Sequence, residues 1–395
     1  MRPIYFLFFL YSLLGVNTIH AQEIKWYRSF EEALENPEQV YQIFIQNNPG
    51  LNIPDDLSIF IHLKSIKISN SKFEKIPRSL TNLTQLEELR LTSCNLKEFP
   101  NEIFYLKELK TLDLSYNQIK VIPSEIDSID KLESLYLQSN FISHIPESIG
   151  KLSYLKILYL GENHIEEISE AVFNLQSLET FNFQKNRIQT IPSSIKNLSS
   201  LRSVNVGFNQ LKSIPSEICT LKELEKLTAN NNFISALPKE IGELKKLHSL
   251  DFTANTLSTI PESIGGLESL IRLNLNMNKL QALPNSVGKL KKLETLSIPN
   301  NELSALPEGI YFLKQLKMLG LSSNNLKSLP NELIRLSNLR YLLLDFNELS
   351  SLPANLNKMH HLKEINLQYN PLKDELIQNL KDELKNTRIY FAKKP

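Results

Sequence analysis

Cysteine is almost missing from this chain, with two residues in 395. Whatever the fold, it must be held together by its apolar core. An excess of charge of either sign is also missing: 44 basic residues stand against 43 acidic ones. Residues 1–21 contain Arg2 and no acid, so the remainder is neutral. Nucleic acid is therefore not an expected partner, because its binding relies on clustered Lys and Arg that neutralise phosphates. No apolar run reaches the ~20 residues that a membrane-spanning helix needs, and no transmembrane segment is expected. The sequence lacks H-E-x-x-H, G-x-S-x-G, G-x-x-x-x-G-K-[ST] and G-x-G-x-x-G, the signatures of common hydrolytic and nucleotide-binding sites. Seven histidines show no spacing with Cys or carboxylates that would build a zinc site. His144 and His164 fall on adjacent turns but in different columns. The chain reads as a non-enzyme with no cofactor and no metal.

The amino terminus carries the pattern of a secretory signal. Arg2 gives a positive start, Ile4 to Leu14 form a short apolar run, and Ile19-His20-Ala21 offers a cleavage site before Gln22. The expectation is an exported protein, secreted or held at the cell surface, with the periplasm as the alternative. No Cys lies near the cleavage site to accept a lipid.

From Val40 the sequence returns to itself every 23 residues as L-x-x-L-x-L-x-x-N-x-L-x-x-[IL]-P-x-x-[IL]-x-x-L. Asn marks the period at Asn48 and then from Asn117 through Asn140, Asn163 and onward to Asn370, with Ser71 and Cys94 in the same column, giving fifteen turns. Proline follows six residues later from Pro54 to Pro353, replaced only by Ser169.

Each column has a physical reason. Leu135-x-Leu137 alternates as a short strand with one face inward. Asn140 stands where the chain leaves the strand, and its amide offers donors and an acceptor to the backbone of neighbouring turns. After Ile145-Pro146, apolar residues recur three apart at Ile149, Leu152 and Leu155, which suits a 3₁₀ or short helical return. A single turn cannot bury its own apolar side, so the turns stack.

The expected fold is an α/β solenoid. It has a curved parallel β-sheet on the concave face, short helical or 3₁₀ segments on the convex face, and an arc on the order of 70 Å long at ~4.8 Å per turn. Cys94 and Cys219, more than five turns apart, lie beyond the ~7 Å limit for a disulfide.

The organisation reads as a signal peptide (1–21), an N-terminal cap (22–39), the repeat domain (40–372) and a C-terminal cap (373–395). In the first cap Ser29-Phe30-Glu31-Glu32 predicts a capping box opening a helix to about Glu35, with Trp26, Phe30 and Leu34 to cover the first turn. In the second, Leu376, Ile377, Leu380 and Leu384 share one face of a helix predicted from Lys373 to Lys385, and Ile389-Tyr390-Phe391 predict a last strand.

These columns resemble the 23-residue class of leucine-rich repeats. The L-P-x-x-I form with its unbroken period is similar to exported repeat proteins of spirochaetes such as Leptospira. Ala33-Leu34-Glu35-Asn36-Pro37-Glu38-Gln39-Val40 resembles the lead-in A-L-x-N-P-x-x-V of those proteins. The resemblance spans Trp26 to Asn370 and implies a binding module, often at a boundary with a host, without naming a ligand. The irregular Asn47-Asn48-Pro49-Gly50 and the many Ile residues in strand columns depart from it.

Residues between the core leucines face the concave side, so candidate contacts are read by column. The central column runs from Phe44, Lys67, Arg90 and Asp113 through Tyr136, Tyr159 and Asn182 to Gly320, Leu343 and Asn366. Two apolar groups emerge. Tyr116, Tyr136, Ile157, Tyr159 and Phe208 lie on the first half, and Met318, Tyr341, Leu343, Phe346 and Tyr369 near the end. Exposed aromatics of this kind serve as anchors for a protein partner, although cross-strand stacking alone also accounts for them. The second group is preferred. Between the two, Asn182, Asn205, Thr228 and Asn274 suit a glycan or simply keep the sheet soluble. Phe173, Phe181 and Phe183 occupy inward columns and read as core. The function expected is protein binding on the concave sheet by a monomer. A structural role in the cell envelope and glycan binding are the alternatives.

Overall fold

The computed structural model describes residues 25–73 and 75–392; the signal peptide read at 1–21 lies outside them. Strands recur once per turn, and each pairs in parallel with the next. Gln42 lies opposite Ser65, and the same 23-residue offset holds through to Tyr341 opposite Glu364. With the short strand Trp26–Tyr27 in front and Arg388–Tyr390 behind, the sheet has 17 strands among the described residues. The turns are numbered here 1 to 15 by the Asn column, from Asn48 to Asn370.

The turn around Asn140 shows how the inward residues are buried. Leu132, Leu135, Leu137, Ile142, Ile149, Leu152 and Leu155 have no exposed surface. One continuous core runs from Tyr27 to Leu384. The return is a 3₁₀ segment, as its three-residue apolar spacing predicts. Glu147–Lys151 is an example, entered through Pro146 at φ −69° and closed by the Leu152 N–H on the Ile149 carbonyl. Neighbouring returns touch closely on the convex side: a Cβ added to Gly242 would overlap the Ser263 carbonyl oxygen.

The Asn column is the hydrogen-bonded spine. Asn232 is 6% exposed. Its Oδ1 accepts from the Leu211 N–H of the previous turn (2.9 Å), while its Nδ2 donates to Val206 O (3.0 Å) and to Ala229 O of its own turn (3.1 Å). The same pattern repeats from Asn117 to Asn370. Turns 1 to 3 depart from it. Among the described residues Asn48 Oδ1 accepts only from Gly50 N–H (3.3 Å), and Cys94 offers a thiol to Ile68 O (3.6 Å) in place of an amide.

The caps differ in detail from the sequence reading. Ser29 Oγ caps the helix Phe30–Leu34 by accepting from Glu32 N–H (3.1 Å). Glu32 reaches back to the N–H of Arg28 (2.9 Å) rather than that of Ser29. Leu34, expected to cover the core, is 43% exposed; Phe30 and Ala33, three apart on the inward side, are buried instead. Trp26 also turns away from the core. Its ring meets Phe44 edge-on (6.1 Å between centroids), and neighbouring Tyr27 is buried. At the other end the helix is Asp374–Glu383, within the range expected, with Ile377, Leu380 and Leu384 buried. The last strand closes at Tyr390, so Phe391 lies beyond it. Cys94 and Cys219 are both free and buried.

Candidate binding face

Both apolar groups lie on the sheet, but the structure treats them differently. In the first, Tyr136 and Tyr159 sit side by side on paired strands (ring centroids 5.3 Å apart, planes at 35°). The Arg90 guanidinium lies 5.5 Å from the Tyr136 ring. Arg90 is itself gripped by Glu88 (2.6 Å) and Asp113 (3.2 Å), and Lys67 also pairs with Glu88 (2.9 Å). Burial opposes the charge on Glu88, yet hydrogen bonds from Arg90, Lys67 and Ser65 hold its carboxyl below the usual range. For Arg90, burial likewise pulls downward, and Glu88 and Asp113 together more than compensate, raising it. Further forward, Lys67 lies 4.9 Å from the Trp26 ring and Arg28 4.9 Å from the Phe44 ring. The cations and rings of this end are thus engaged with one another. Tyr116 and Phe208 are not part of that stack. Tyr116 belongs to turn 4 and Phe208 to turn 8, and neither meets another ring among the described residues. Ile157 is half-buried between Ser134 and Thr180.

Three positions expected to face solvent are covered. Asp113 is 7% exposed because Ser115 donates to it from both N–H (3.0 Å) and hydroxyl (2.6 Å), with Arg90 above. Asn182 accepts from the N–H of Gln184 (3.1 Å) and is buried against its own turn. Gly320, without a side chain, is buried as well.

The second group is more open. Met318 stands opposite Tyr341 and Gly320 opposite Leu343, so the missing side chain at 320 leaves one flank of Leu343 uncovered. Tyr341 is 39% and Phe346 48% exposed. Phe346 stacks on Tyr369 with ring centroids 4.4 Å apart. No cation is bound to this group among the described residues.

Two features escaped the sequence reading. The first is backbone conformation: the residue just before the Asn column is left-handed in every turn, with φ between 48° and 60°. Asn47, Asn70, Asn231 and Asn300 in that column were the available signal, since Asn tolerates this region. Tyr116, Phe208, Met277, Phe346 and Tyr369 share the column. The second is a column of alternating charge where the chain enters each strand. Glu87 bonds both Lys64 (3.0 Å) and Lys110 (2.8 Å), Lys156 bonds Glu133 (2.8 Å), and Arg202 bonds Glu225 (2.8 Å). These pairs are exposed, so solvent screening leaves each a minor contributor to stability.

The histidines that fall on adjacent turns have separate partners. His144 Nδ1 bonds the Ser143 hydroxyl (2.8 Å), and His164 packs on Phe141 (5.6 Å). Among the described residues no cluster of three or more His, Cys, Asp or Glu could hold a metal. No helix among them is long and apolar enough to cross a membrane.

Comparison with known proteins agrees with this architecture. A family model described as a leucine-rich repeat region matches residues 45–160, 142–232 and 227–301, and one described as a leucine-rich repeat matches 291–349. No curated protein matches the chain by sequence. Among solved structures, a leucine-rich-repeat protein of Leptospira interrogans is 29% identical with a TM-score of 0.82, covering 93% of this chain and 100% of its own. An internalin from Listeria monocytogenes is 25% identical with a TM-score of 0.71, covering 81% and 91%. The Arabidopsis receptor kinase HAESA, solved with a peptide hormone and a co-receptor, is 26% identical with a TM-score of 0.71, covering 91% and 67%.

Proposed function

Since this chain belongs to the leucine-rich-repeat family, we propose that it is a non-catalytic binding module that holds a protein partner on the concave sheet near its carboxyl-terminal end. The observation that carries this reading is the open group around Tyr341 and the Phe346–Tyr369 stack. Large rings on a solvated sheet add apolar surface to water unless something covers them, and Tyr joins contact area to a hydrogen-bonding tip. The opposite end offers less, because its rings and cations satisfy one another. The similar receptor kinase was solved with polypeptide ligands, which is consistent with the same use here. The reading includes export, supported by Arg2, the run Ile4 to Leu14 and the site after Ala21, and it places the partner outside the cytoplasm.

Photo-crosslinking tests it. A benzophenone amino acid is placed at Tyr341 or, as control, at Tyr154, which is 60% exposed on the return segment away from the sheet. The purified proteins are mixed with proteins shed from, or exposed on, the cells the organism meets. Discrete adducts are expected from position 341 only. Excess wild type should compete them away, and a correctly folded Y341S/F346S/Y369S variant should not. Equal labelling from both positions, or competition by the variant, would reject this face as the binding surface.

A further inference from the structure

The left-handed column forms a rim along the carboxyl ends of the strands, and its large side chains are explained neither by the backbone nor by the core. L-residues with bulky side chains rarely adopt this conformation, and four turns use Asn there. Yet Phe208, Met277 and Phe346 occupy it at φ 56°, 55° and 58°, and they are 46%, 56% and 48% exposed. Phe208 and Met277 lie outside the core, and Phe346 stacks on Tyr369, which is itself left-handed. Their positions are nevertheless fixed, because the N–H of Phe208 donates to Asn230 O (2.7 Å), that of Met277 to Pro299 O (2.9 Å) and that of Phe346 to Gln368 O (2.9 Å).

From Phe208 to Phe346 the spacing is regular, with Tyr116 four turns before Phe208 and Tyr369 one turn after Phe346. Phe208 belongs to turn 8, Met277 to turn 11 and Phe346 to turn 14, three turns apart in each case. At ~4.8 Å per turn, successive anchors lie roughly 14 Å apart. An extended polypeptide advances ~3.3 Å per residue and returns to the same face every second residue, so four residues cover about 13 Å. Between Gly207 and Ser323, the rim and the column beside it carry no charged side chain, and at the third anchor Asp345, beside Phe346, is held by the Ser322 hydroxyl (2.6 Å). The two columns carry amides and hydroxyls instead: Asn230, Asn231, Thr253, Asn276, Asn300 and Ser322. A side-chain amide offers the same donor and acceptor as a peptide unit. A charged or nucleic partner finds no complement there, and a helix, rising ~1.5 Å per residue, would need more than two turns between anchors.

We propose that this rim receives an extended, uncharged polypeptide segment running along the solenoid axis, with apolar side chains four residues apart set against Phe208, Met277 and Phe346. The proposal rests on the reading of this face as a protein-binding surface, and it adds two positions outside the Tyr341 group. The test uses those two alone. Random linear peptides about 12 residues long, enough to span the anchors at ~3.3 Å per residue, are displayed on phage and selected on the full chain. Synthetic copies of the enriched peptides are then titrated by fluorescence anisotropy. Enriched sequences should carry apolar residues at four-residue intervals with uncharged residues between. Their Kd should rise roughly tenfold or more in F208N/M277N, as loss of anchor residues does, and stay unchanged in Y154S. Asn suits the left-handed backbone, so a loss of binding cannot be ascribed to unfolding. Failure to enrich such peptides, or equal affinity for F208N/M277N and wild type, overturns the proposal. Specific adducts at Tyr341 together with unchanged binding in F208N/M277N would leave the Tyr341 face standing and reject the rim alone.

Discussion

Phe346 and Tyr369 lie on neighbouring turns with ring centroids 4.4 Å apart, and both hold left-handed backbone, at φ 58° and 60°. The stack is thus assembled from two residues in a conformation that each disfavours. The contact between the rings returns part of the cost. Phe208 and Met277, in the same column, have no such partner among the described residues.

Replacing Phe208 by Asn should therefore stabilise the protein. Left-handed backbone costs a residue with a bulky side chain roughly 1 to 2 kcal/mol, and Asn relieves much of it. We expect a gain of about 1 kcal/mol, read as a higher urea midpoint at unchanged slope. An equal or lower midpoint would show that the Phe208 ring is engaged in packing that offsets its backbone.

The amide spine gives the opposite sign. In Asn232→Ala the Leu211 N–H loses its partner, while the Val206 and Ala229 carbonyls each lose one of two amide donors and keep Asn209 Nδ2 and Asn255 Nδ2. A buried group left unpaired costs about 1 to 3 kcal/mol, so the variant should lose roughly 2 kcal/mol by the same denaturation. Asn48→Ala should lose far less, because Asn48 Oδ1 has a single local bond at 3.3 Å. Similar losses at the two positions would refute the assignment of the spine to the amide–backbone bonds.

The two thiols predict a response to alkali. Burial pushes Cys94 up to about 11 and Cys219 to about 12, against 9.0 for the free group. The folded state thus keeps its thiol protons where the unfolded chain gives them up. This contribution is complete below pH 9 and is lost as pH rises through about 11. Denaturation at pH 8 and pH 10.5 should show a drop in stability that shrinks in C94A/C219A. Iodoacetamide at pH 8 should label both thiols only after denaturant is added. Rapid labelling of the native protein would contradict the burial of these groups.

How much was readable beforehand follows from the period. Once Asn recurs every 23 residues, the strand, the inward leucines, the proline entry and the 3₁₀ return are dictated column by column, and Phe173, Phe181 and Phe183 are inward as read. Backbone sign was not readable at Phe208 or Met277, because an aromatic or a thioether gives no hint of left-handed φ. Nor did the columns reveal that Arg90 would hold Tyr136, since that contact bridges turns 3 and 5. Leu34 misled because a helix of five residues presents only Phe30 and Ala33 inward. Side-chain identity fixes which face a residue occupies, while engagement with neighbours decides whether it is free.

The spine also has a direction in time. Every Asn from 117 onward reaches backward, accepting from the N–H that closes the turn before it and donating to that turn's strand carbonyl. The N–H that closes a turn is paired by its successor's Asn, not by its own. As a chain emerges amino end first, each new length of 23 residues seals the one already formed, and Ser71 and Cys94 leave the loosest joints where growth begins. Synthesis and assembly run the same way along this molecule, so a nascent chain exposes one unsealed turn at a time rather than a whole unfinished core.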